Sequence, residues 1–496
     1  MKKLLFFMAI AACAFACKPA EEEVPVVEVT MSSFGFTAEK NAALKSDVTV
    51  ENPSSAISVT LPYGTDEEVL KSLVPTFTVT EGAAVTVGEE EIESGVTALD
   101  FTYPVEILVT VNEKSNALYT VTVTVGEPAK WVKKAESSVE FTSEPAMTLS
   151  PDGKNLYIFG YDKEGSHPVM LAYDGAALAQ IGEAGTEAAQ YIASGCSPDG
   201  VPYGALYDKT SKHVKVYAYK NGKAEAVGDA SAILQPTGNS VGSSSIVPIA
   251  ENNVYLFLMS NKANAATGLV KRGLNVCHYD GKEWSQFGTL PDWEGSSTTY
   301  NTRVKWIDGV PYVFILNFAK AEFNIYKYTD NAWQTVCAAV HPLKTDNETP
   351  ITTAAYLYGA MNFDIASNGD VYLIAAANYA SDDNEIGVIK YDINKKTTSI
   401  VGGVMSGVLA TKCRYLSMAL DDNDVPYVVY GNTFTEGAPS YVRYINSKTK
   451  LWSEPVAVEA NQTSGIDIQF GADGTGYIVY QDATTFKYAV CTNLAE

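Results

Sequence analysis

The sequence predicts an all-β protein, a sandwich of about 90 residues followed by a seven-bladed β-propeller closed by strand 131–139. Three observations carry that expectation. Short runs of alternating β-branched and polar residues, bounded by Gly, Pro, Asn and Asp, recur from Phe36 to the C-terminus; this is the pattern of half-buried strands. From Tyr157 onward the pattern returns seven times at spacings of 46 to 60 residues, with no helix-period segment inside the repeats. Four short strands per repeat at that period is the signature of a propeller blade.

The first element, residues 1–16, carries Lys2 and Lys3 ahead of an apolar run beginning at Leu4. That run is too short to span a bilayer and has the layout of a secretory signal. It ends in Ala14-Phe15-Ala16-Cys17, followed by Lys18-Pro19-Ala20-Glu21-Glu22-Glu23. Small residues before a cysteine and an acidic stretch after it resemble the signal of a bacterial lipoprotein. The acidic run is similar to the surface-export signal of Bacteroidota lipoproteins. The resemblance implies that Cys17 becomes the lipid-bearing N-terminus and that lipid chains anchor the protein in the outer membrane, exposed at the cell surface. Phe15 is unusual for a lipobox; Ile10-Ala11-Ala12-Cys13 fits better locally but leaves a nine-residue apolar run. Cys13 and an ordinary secretory signal therefore stand as alternatives. Residues 17–35 form an acidic tether.

Residues 36–127 contain strand patterns at 56–61, 76–79, 105–111 and 119–125. Six or seven short strands in this length fit an antiparallel sandwich. The Cys–Trp–Cys signature of immunoglobulin domains is absent. The run "ISVTLPYGTDEEVLKSLVPTFTV … YTVTVTV" is similar to Ig-like N-terminal domains of uncharacterised function in Bacteroidota surface lipoproteins. That resemblance implies a spacer, or a sandwich that itself binds glycan.

In the span 131–496 each repeat opens with a strand, a polar turn and a tyrosine: Tyr157, Tyr203, Tyr255, Tyr312, Tyr372, Tyr427 and Tyr477. A second tyrosine follows each one in a further strand, at Tyr173, Tyr219, Tyr279, Tyr328, Tyr391, Tyr444 and Tyr488. These fourteen are expected to pack between sheets. Fourth strands begin near Trp284, Trp333 and Trp452, whereas the last repeat ends soon after Tyr488 without one. The matching segment, "KWVKKAESSV" with Trp131, precedes the first repeat, so residues 131–139 are expected to complete the last blade. The "SPDG" turns resemble those of TolB and other seven-bladed propeller families, a likeness that speaks to fold because Asp-Gly is a turn device.

Composition narrows the function. Fifty-eight acidic residues against 35 Lys and Arg give a net charge of −23, which argues against nucleic acid as a partner. The four histidines lie in different repeats without ligand spacing, and no cofactor or metal is expected. The five cysteines after the signal, Cys196, Cys277, Cys337, Cys413 and Cys491, form no Cys-x-x-Cys pair and are expected to be packing residues. The four arginines do not supply a sialidase clamp, and no catalytic residue is assigned.

Propeller ligands usually sit on the face made by connections between blades and by loops between second and third strands. Those segments hold Trp293, Tyr300, Tyr356, Tyr358, Tyr379 and Phe434 outside the repeated positions, while Arg303, Asn362, Asp364, Asp467 and Gln469 fall on or near innermost strands. Polar groups there are costly unless partnered or wet, and aromatics beside a few polar groups suit sugar rings. The candidate ligand-binding set is Trp293, Tyr300, Arg303, Tyr356, Tyr358, Asp364, Tyr379, Phe434 and Asp467. The expected activity is non-catalytic binding of an extracellular ligand such as a glycan; a scaffold for another envelope protein and a polysaccharide-processing enzyme are the alternatives.

Overall fold

Side-chain alternation produces the strands of the N-terminal unit. Along 56–61, Ile57, Val59 and Leu61 are buried while Ala56, Ser58 and Thr60 face solvent. Along 105–109, Val105, Ile107 and Val109 are buried and Glu106 is exposed. One face of each such strand must find a core. The computed structural model describes residues 25–493 except 45–46, 63–64, 127–129, 184, 231–240, 261–273, 289, 294–298, 318–319, 342, 344–347, 349, 351–360, 376–384, 410–412, 433–438 and 445–449. The chain divides into two units, residues 1–126 and 127–496.

The first unit contains β1 (Met31–Phe36), β2 (Val48–Glu51), β3 (Ala56–Leu61), β4 (Thr76–Val79), β5 (Ala84–Val87), β6 (Glu90–Glu91), β7 (Val105–Asn112) and β8 (Ser115–Val125). They form a three-stranded sheet, β2-β1-β4, and a five-stranded sheet, β3-β8-β7-β5-β6. Residues of both sheets share one core, including Phe34, Phe36, Ile57, Val59, Ile107 and Val121. Phe101 meets Phe36 edge-on at 5.2 Å. The expected antiparallel arrangement is corrected at one edge: β3 runs parallel to β8, from Ala56 beside Thr120 to Leu61 beside Val125. A parallel pair needs a long crossover. The chain between Leu61 and Ser115, with its short 3-10 helix Glu67–Ser72 and four strands, supplies it.

Among the described residues the second unit begins with β9 (Val132–Glu140) and continues as seven four-stranded antiparallel sheets, numbered here 1 to 7. They span residues 146–180, 189–226, 241–286, 299–340, 361–401, 413–459 and 463–492; the strands of the first six pair in chain order, and the last span supplies only three of its sheet's four strands. This is a nearly all-β, propeller-like architecture. The first group of recurring tyrosines lies on the second strand of each sheet and the second group on the third strand. Every first-to-second turn passes through a residue with positive φ: Gly153, Gly200, Asn252, Asp308 with Gly309, Gly369, Asp424 and Gly474. Gly, Asn and Asp tolerate that conformation best.

Apolar clusters join successive sheets. Phe159, Met170, Leu206 and Tyr219 link sheets 1 and 2, and Val216, Ile246, Leu256 and Trp284 link sheets 2 and 3. Phe257, Val313, Tyr326 and Trp333 link 3 and 4, Phe314, Phe323, Phe363 and Leu373 link 4 and 5, and Ile374, Val388, Met418 and Val428 link 5 and 6. Tyr427 of sheet 6 meets Phe470 of sheet 7 at 5.1 Å. Another cluster holds Val479, Tyr488 and Val490 of sheet 7 together with Leu156, Ile158, Val169 and Leu171 of sheet 1.

Sheet 7 takes its fourth strand from the beginning of the unit. β9 pairs antiparallel with Lys487–Thr492, with Val132 opposite Thr492, Ala135 opposite Val490 and Glu140 opposite Lys487. The strand begins one residue later than the sequence suggests; Trp131 lies just before it, packed edge-on against Tyr427 and Phe470. The other tryptophans also join sheets. Trp284 donates to the Val227 carbonyl at 2.7 Å, and Trp452 donates to the carbonyls of Val401 and Gly403.

Candidate functional site

The paired registers of the seven sheets put equivalent residues of their first strands into two rows. Opposite the recurring second-strand tyrosine stand Thr148, Gly195, Val247, Lys305, Asp364, Ala419 and Gln469. Two residues earlier stand Ala146, Ala193, Ser245, Arg303, Asn362, Ser417 and Asp467. Sheets 1 to 3 contribute small or uncharged side chains to both rows. Charge is concentrated in sheets 4 to 7.

Within the first row, the Lys305 side chain is 7% exposed and its ammonium lies 3.0 Å from Asp364 Oδ2. It also donates to the Met418 carbonyl at 3.2 Å. Asp364 Oδ2 accepts the Leu420 amide at 2.9 Å and Oδ1 accepts the Ile365 amide at 2.9 Å. One ion pair thereby ties the first strands of sheets 4, 5 and 6. Burying two charges is costly unless further hydrogen bonds support them, and here the Met418 carbonyl and the Ile365 and Leu420 amides supply them. In the second row Asn362 Nδ2 donates to Ser417 Oγ at 2.6 Å and to Asp467 Oδ1 at 3.1 Å. Ser417 Oγ also donates to Asp467 Oδ1, which accepts the Ile468 amide at 2.9 Å. Ser245 and Thr302 continue this hydroxyl bonding between sheets 3 and 4, at 2.8 Å.

The expected site residues are distributed as follows. Asp364 and Asp467 are half-buried members of this network. Arg303 is exposed on the first strand of sheet 4, its Nη1 3.3 Å from the Thr302 carbonyl. Tyr300 lies on the same strand. Trp293 is only 8% exposed; it is a core wedge between sheets 3 and 4, beside Leu290, Tyr326 and Trp333, rather than a loop aromatic offered to solvent. The positive φ of Asp292 and the Trp293 amide bond to the Leu290 carbonyl, at 3.3 Å, turn it inward. Tyr356, Tyr358, Tyr379, Phe434 and Cys17 lie outside the described residues. Lys305 and Ser417 were not singled out from the sequence. Alignment of the repeats on their tyrosines would have exposed both, because Lys305 occupies the register of Asp364, and Ser417 that of Asp467.

Among the described residues no group of three or more His, Cys, Asp or Glu side chains converges to hold a metal. Cys196, Cys277, Cys337, Cys413 and Cys491 are buried free thiols. No described helix is long and apolar enough to cross a membrane.

The fold and this row geometry define an all-β chain with a propeller-like second unit. Residues 33–123, in the first unit, match a family described as "SGBP, N-terminal". No curated protein matches the chain. Among solved structures, the chain is similar to the β-propeller domain of Cps50 (Swd1) from Myceliophteria thermophila, at 9% identity and a TM-score of 0.46, covering 74% of this chain and 100% of that one. It is also similar to the polysaccharide lyase Uly1, at 10% identity and a TM-score of 0.43, over 74% and 97% of the two chains. A mutant Aleuria aurantia lectin in complex with alpha-methyl-L-fucoside shows 12% identity and a TM-score of 0.37, over 65% and 98%.

Proposed function

We propose that the chain is a non-catalytic, surface-exposed outer-membrane lipoprotein, anchored through Cys17, that binds an extracellular glycan. The observation that carries this reading is the match of residues 33–123 to the N-terminal region of SGBP, a surface glycan-binding class. The lipobox-like segment before Cys17 and the acidic run after it support the location. In this reading the first unit is an Ig-like spacer, and residues 131–496 are a seven-bladed propeller. The seven sheets, their successive apolar clusters and the pairing of β9 with the last sheet support that architecture. Binding is assigned to the propeller face around Trp293, Tyr300, Arg303, Tyr356, Tyr358, Tyr379 and Phe434, with Asp364 and Asp467 holding the first strands beneath it. The inward position of Trp293 makes it a support for that face.

Intact cells displaying the full chain are expected to retain a labelled polysaccharide from a broad panel and to return it chemically unchanged. Cells expressing Cys17→Ala are expected to lose that retention as the protein leaves the surface. Wild-type cells that retain no polysaccharide beyond cells lacking the chain would overturn the glycan reading. Cleaved products would overturn the non-catalytic one.

A further inference from the structure

Of the sixteen described non-glycine residues with positive φ, only Tyr191 and Phe486 are aromatic, with φ of +52 and +61. Bulky side chains are outliers in that region, and such strain collects at ligand-holding sites. Both residues lie at the same end of the second unit, where first strands begin and second strands end. Close contacts join that end across sheets 7, 1 and 2. A Cβ placed on Gly465 of sheet 7 would fall 2.8 Å from Pro145 Cδ, just ahead of sheet 1. Ser194 Oγ of sheet 2 donates to the Ala146 carbonyl of sheet 1 at 2.7 Å.

An inserted residue places Tyr191. On the first strand of sheet 2, Gln190 pairs with Tyr207 and Ala193 with Ala205, so Tyr191 and Ile192 together oppose Leu206. The same one-residue bulge recurs near the start of the first strand in sheets 3, 4, 6 and 7. It holds Gly242 in sheet 3, Tyr300 with Asn301 in sheet 4, Arg414 in sheet 6, and Ser464 with Gly465 in sheet 7. A bulge frees its extra residue from the ladder, and these identities show that it does not itself require a tyrosine. The Tyr191 ring is half-buried, packed against the cluster of sheets 2 and 3. Phe486 ends the turn between the second and third strands of sheet 7. Its amide donates to the Asp482 carbonyl at 2.8 Å, and its carbonyl accepts the Phe141 amide at 2.8 Å. The equivalent residue, four places after Asp162, Asp208 or Asn317, is Ser166, Lys212 or Ala321, each with positive φ. This turn does not require an aromatic ring either. Phe486 is nonetheless 38% exposed, with the Lys163 ammonium 4.0 Å from its ring centre and bonded to Glu140 at 2.8 Å. That cation steadies the ring and sets polar groups beside exposed aromatic surface.

We propose that Tyr191 and Phe486 are two aromatic platforms of one subsite that holds an extended glycan chain across sheets 7, 1 and 2. The proposal rests on the glycan reading above and gives the ligand a length. Aromatic surface beside a few polar groups suits a sugar ring. Face-to-face sheets lie about 10 Å apart, so platforms separated by sheet 1 stand on the order of 20 Å from each other. One or two sugar rings reach a single platform. A chain of several rings reaches both, and its second contact forms at high effective concentration.

The test uses the full chain in detergent, titrated with gluco-, manno-, galacto- and xylo-disaccharides and hexasaccharides and probed by hydroxyl-radical footprinting. At least one hexasaccharide is expected to bind about tenfold or more tightly than its disaccharide, and to slow oxidation of both Tyr191 and Phe486 at least threefold. Tyr103, 80% exposed in the first unit, should oxidise at an unchanged rate. Tyr191→Asn and Phe486→Asn each supply a residue that tolerates positive φ, and each should weaken hexasaccharide binding about fivefold or more. Hexasaccharide binding that leaves both rings unprotected and both variants unaffected would overturn the subsite and leave the glycan reading intact. Protection of one ring alone, or equal affinity for disaccharide and hexasaccharide, would overturn the span between the platforms. No glycan binding at all would remove both readings. The footprint of the wild-type chain decides the matter even if a variant folds poorly.

Discussion

Lys305 and Asp364 show how one residue can be assigned two different jobs. From sequence alone a carboxylate on an inner strand reads as a ligand group. In the structure Asp364 accepts a buried ammonium and two backbone amides, and so acts as a joint between three strands. Removing one member of a buried ion pair strands the other, at a cost of about 3–5 kcal/mol, whereas replacing both with apolar residues is often neutral. Lys305→Met and Asp364→Leu are each expected to lower stability by an amount in that range, and the double variant to recover most of it. Chemical denaturation of the four proteins measures the coupling. Additive losses in the double variant would show that the two side chains act independently, and would return Asp364 to the ligand set.

At the scale of the element, β9 has the clearest consequence. Its residues lie far from Lys487–Thr492 in the chain, yet they complete that sheet. Ser137 Oγ accepts the Tyr488 amide at 3.0 Å. Just after the strand, Phe141 stacks on Tyr488 at 3.8 Å, and Ser143 Oγ lies 2.6 Å from the Tyr488 hydroxyl. Without β9 the edge of Lys487–Thr492 would be open, and open edges favour intermolecular pairing. A chain of residues 127–496 is therefore expected to unfold in one cooperative transition. A chain of residues 141–496 should melt lower and aggregate, and a peptide spanning 131–140 added in trans should restore its midpoint. Equal melting of the two chains would show that β9 contributes nothing to the stability of that sheet. This strand was readable in advance because a count of fourth strands left one missing and a tryptophan marked its substitute. The turns were only partly readable: repeats three to six lost much of the "SPDG" motif but kept a left-handed residue, Asn252, Asp308 with Gly309, Gly369 or Asp424, so backbone conformation persisted where the motif did not. The parallel edge between β3 and β8 left no comparable mark, since a strand's alternation does not encode the direction of its neighbour. Burial of Trp293 was equally unreadable, because it depends on a turn at Asp292 and a gap between two sheets.

For the whole molecule, charge and burial together set the pH range of stability. Of the −23 total, residues 18–130 account for −13, from 19 acids and 6 lysines. A stretch so acidic is expected to repel an anionic surface. Folding stability depends instead on groups whose proton affinity changes when they are buried. Burial pushes the thiols of Cys196, Cys277, Cys337 and Cys491 up to about 12, against roughly 8.5 in an unfolded chain. These acids keep their protons when folded and release them when unfolded. Their contribution is complete below about pH 8.5 and is lost as the pH rises toward 12, by about 1.4 kcal/mol per pH unit for each thiol once the unfolded form is ionised. At Asp370 and Asp482 burial disfavours the charged form. The Lys390 bond with the Ile393 amide at Asp370, and the Thr484 and Asn461 bonds at Asp482, outweigh it and depress both pKa values. Their contribution is present above about pH 4, the ordinary value for aspartate, and is lost as the pH falls through the lowered folded values. Guanidinium midpoints measured at high salt, where long-range repulsion is screened, should therefore form a plateau from about pH 5 to 8. They should fall on both sides, more steeply on the alkaline side because four thiols titrate there with buried tyrosines close behind. A thiol-to-alanine variant such as Cys277→Ala should flatten the alkaline limb while lowering the plateau. A profile that stays level from pH 8 to 11 would mean that the buried thiols do not couple ionisation to folding.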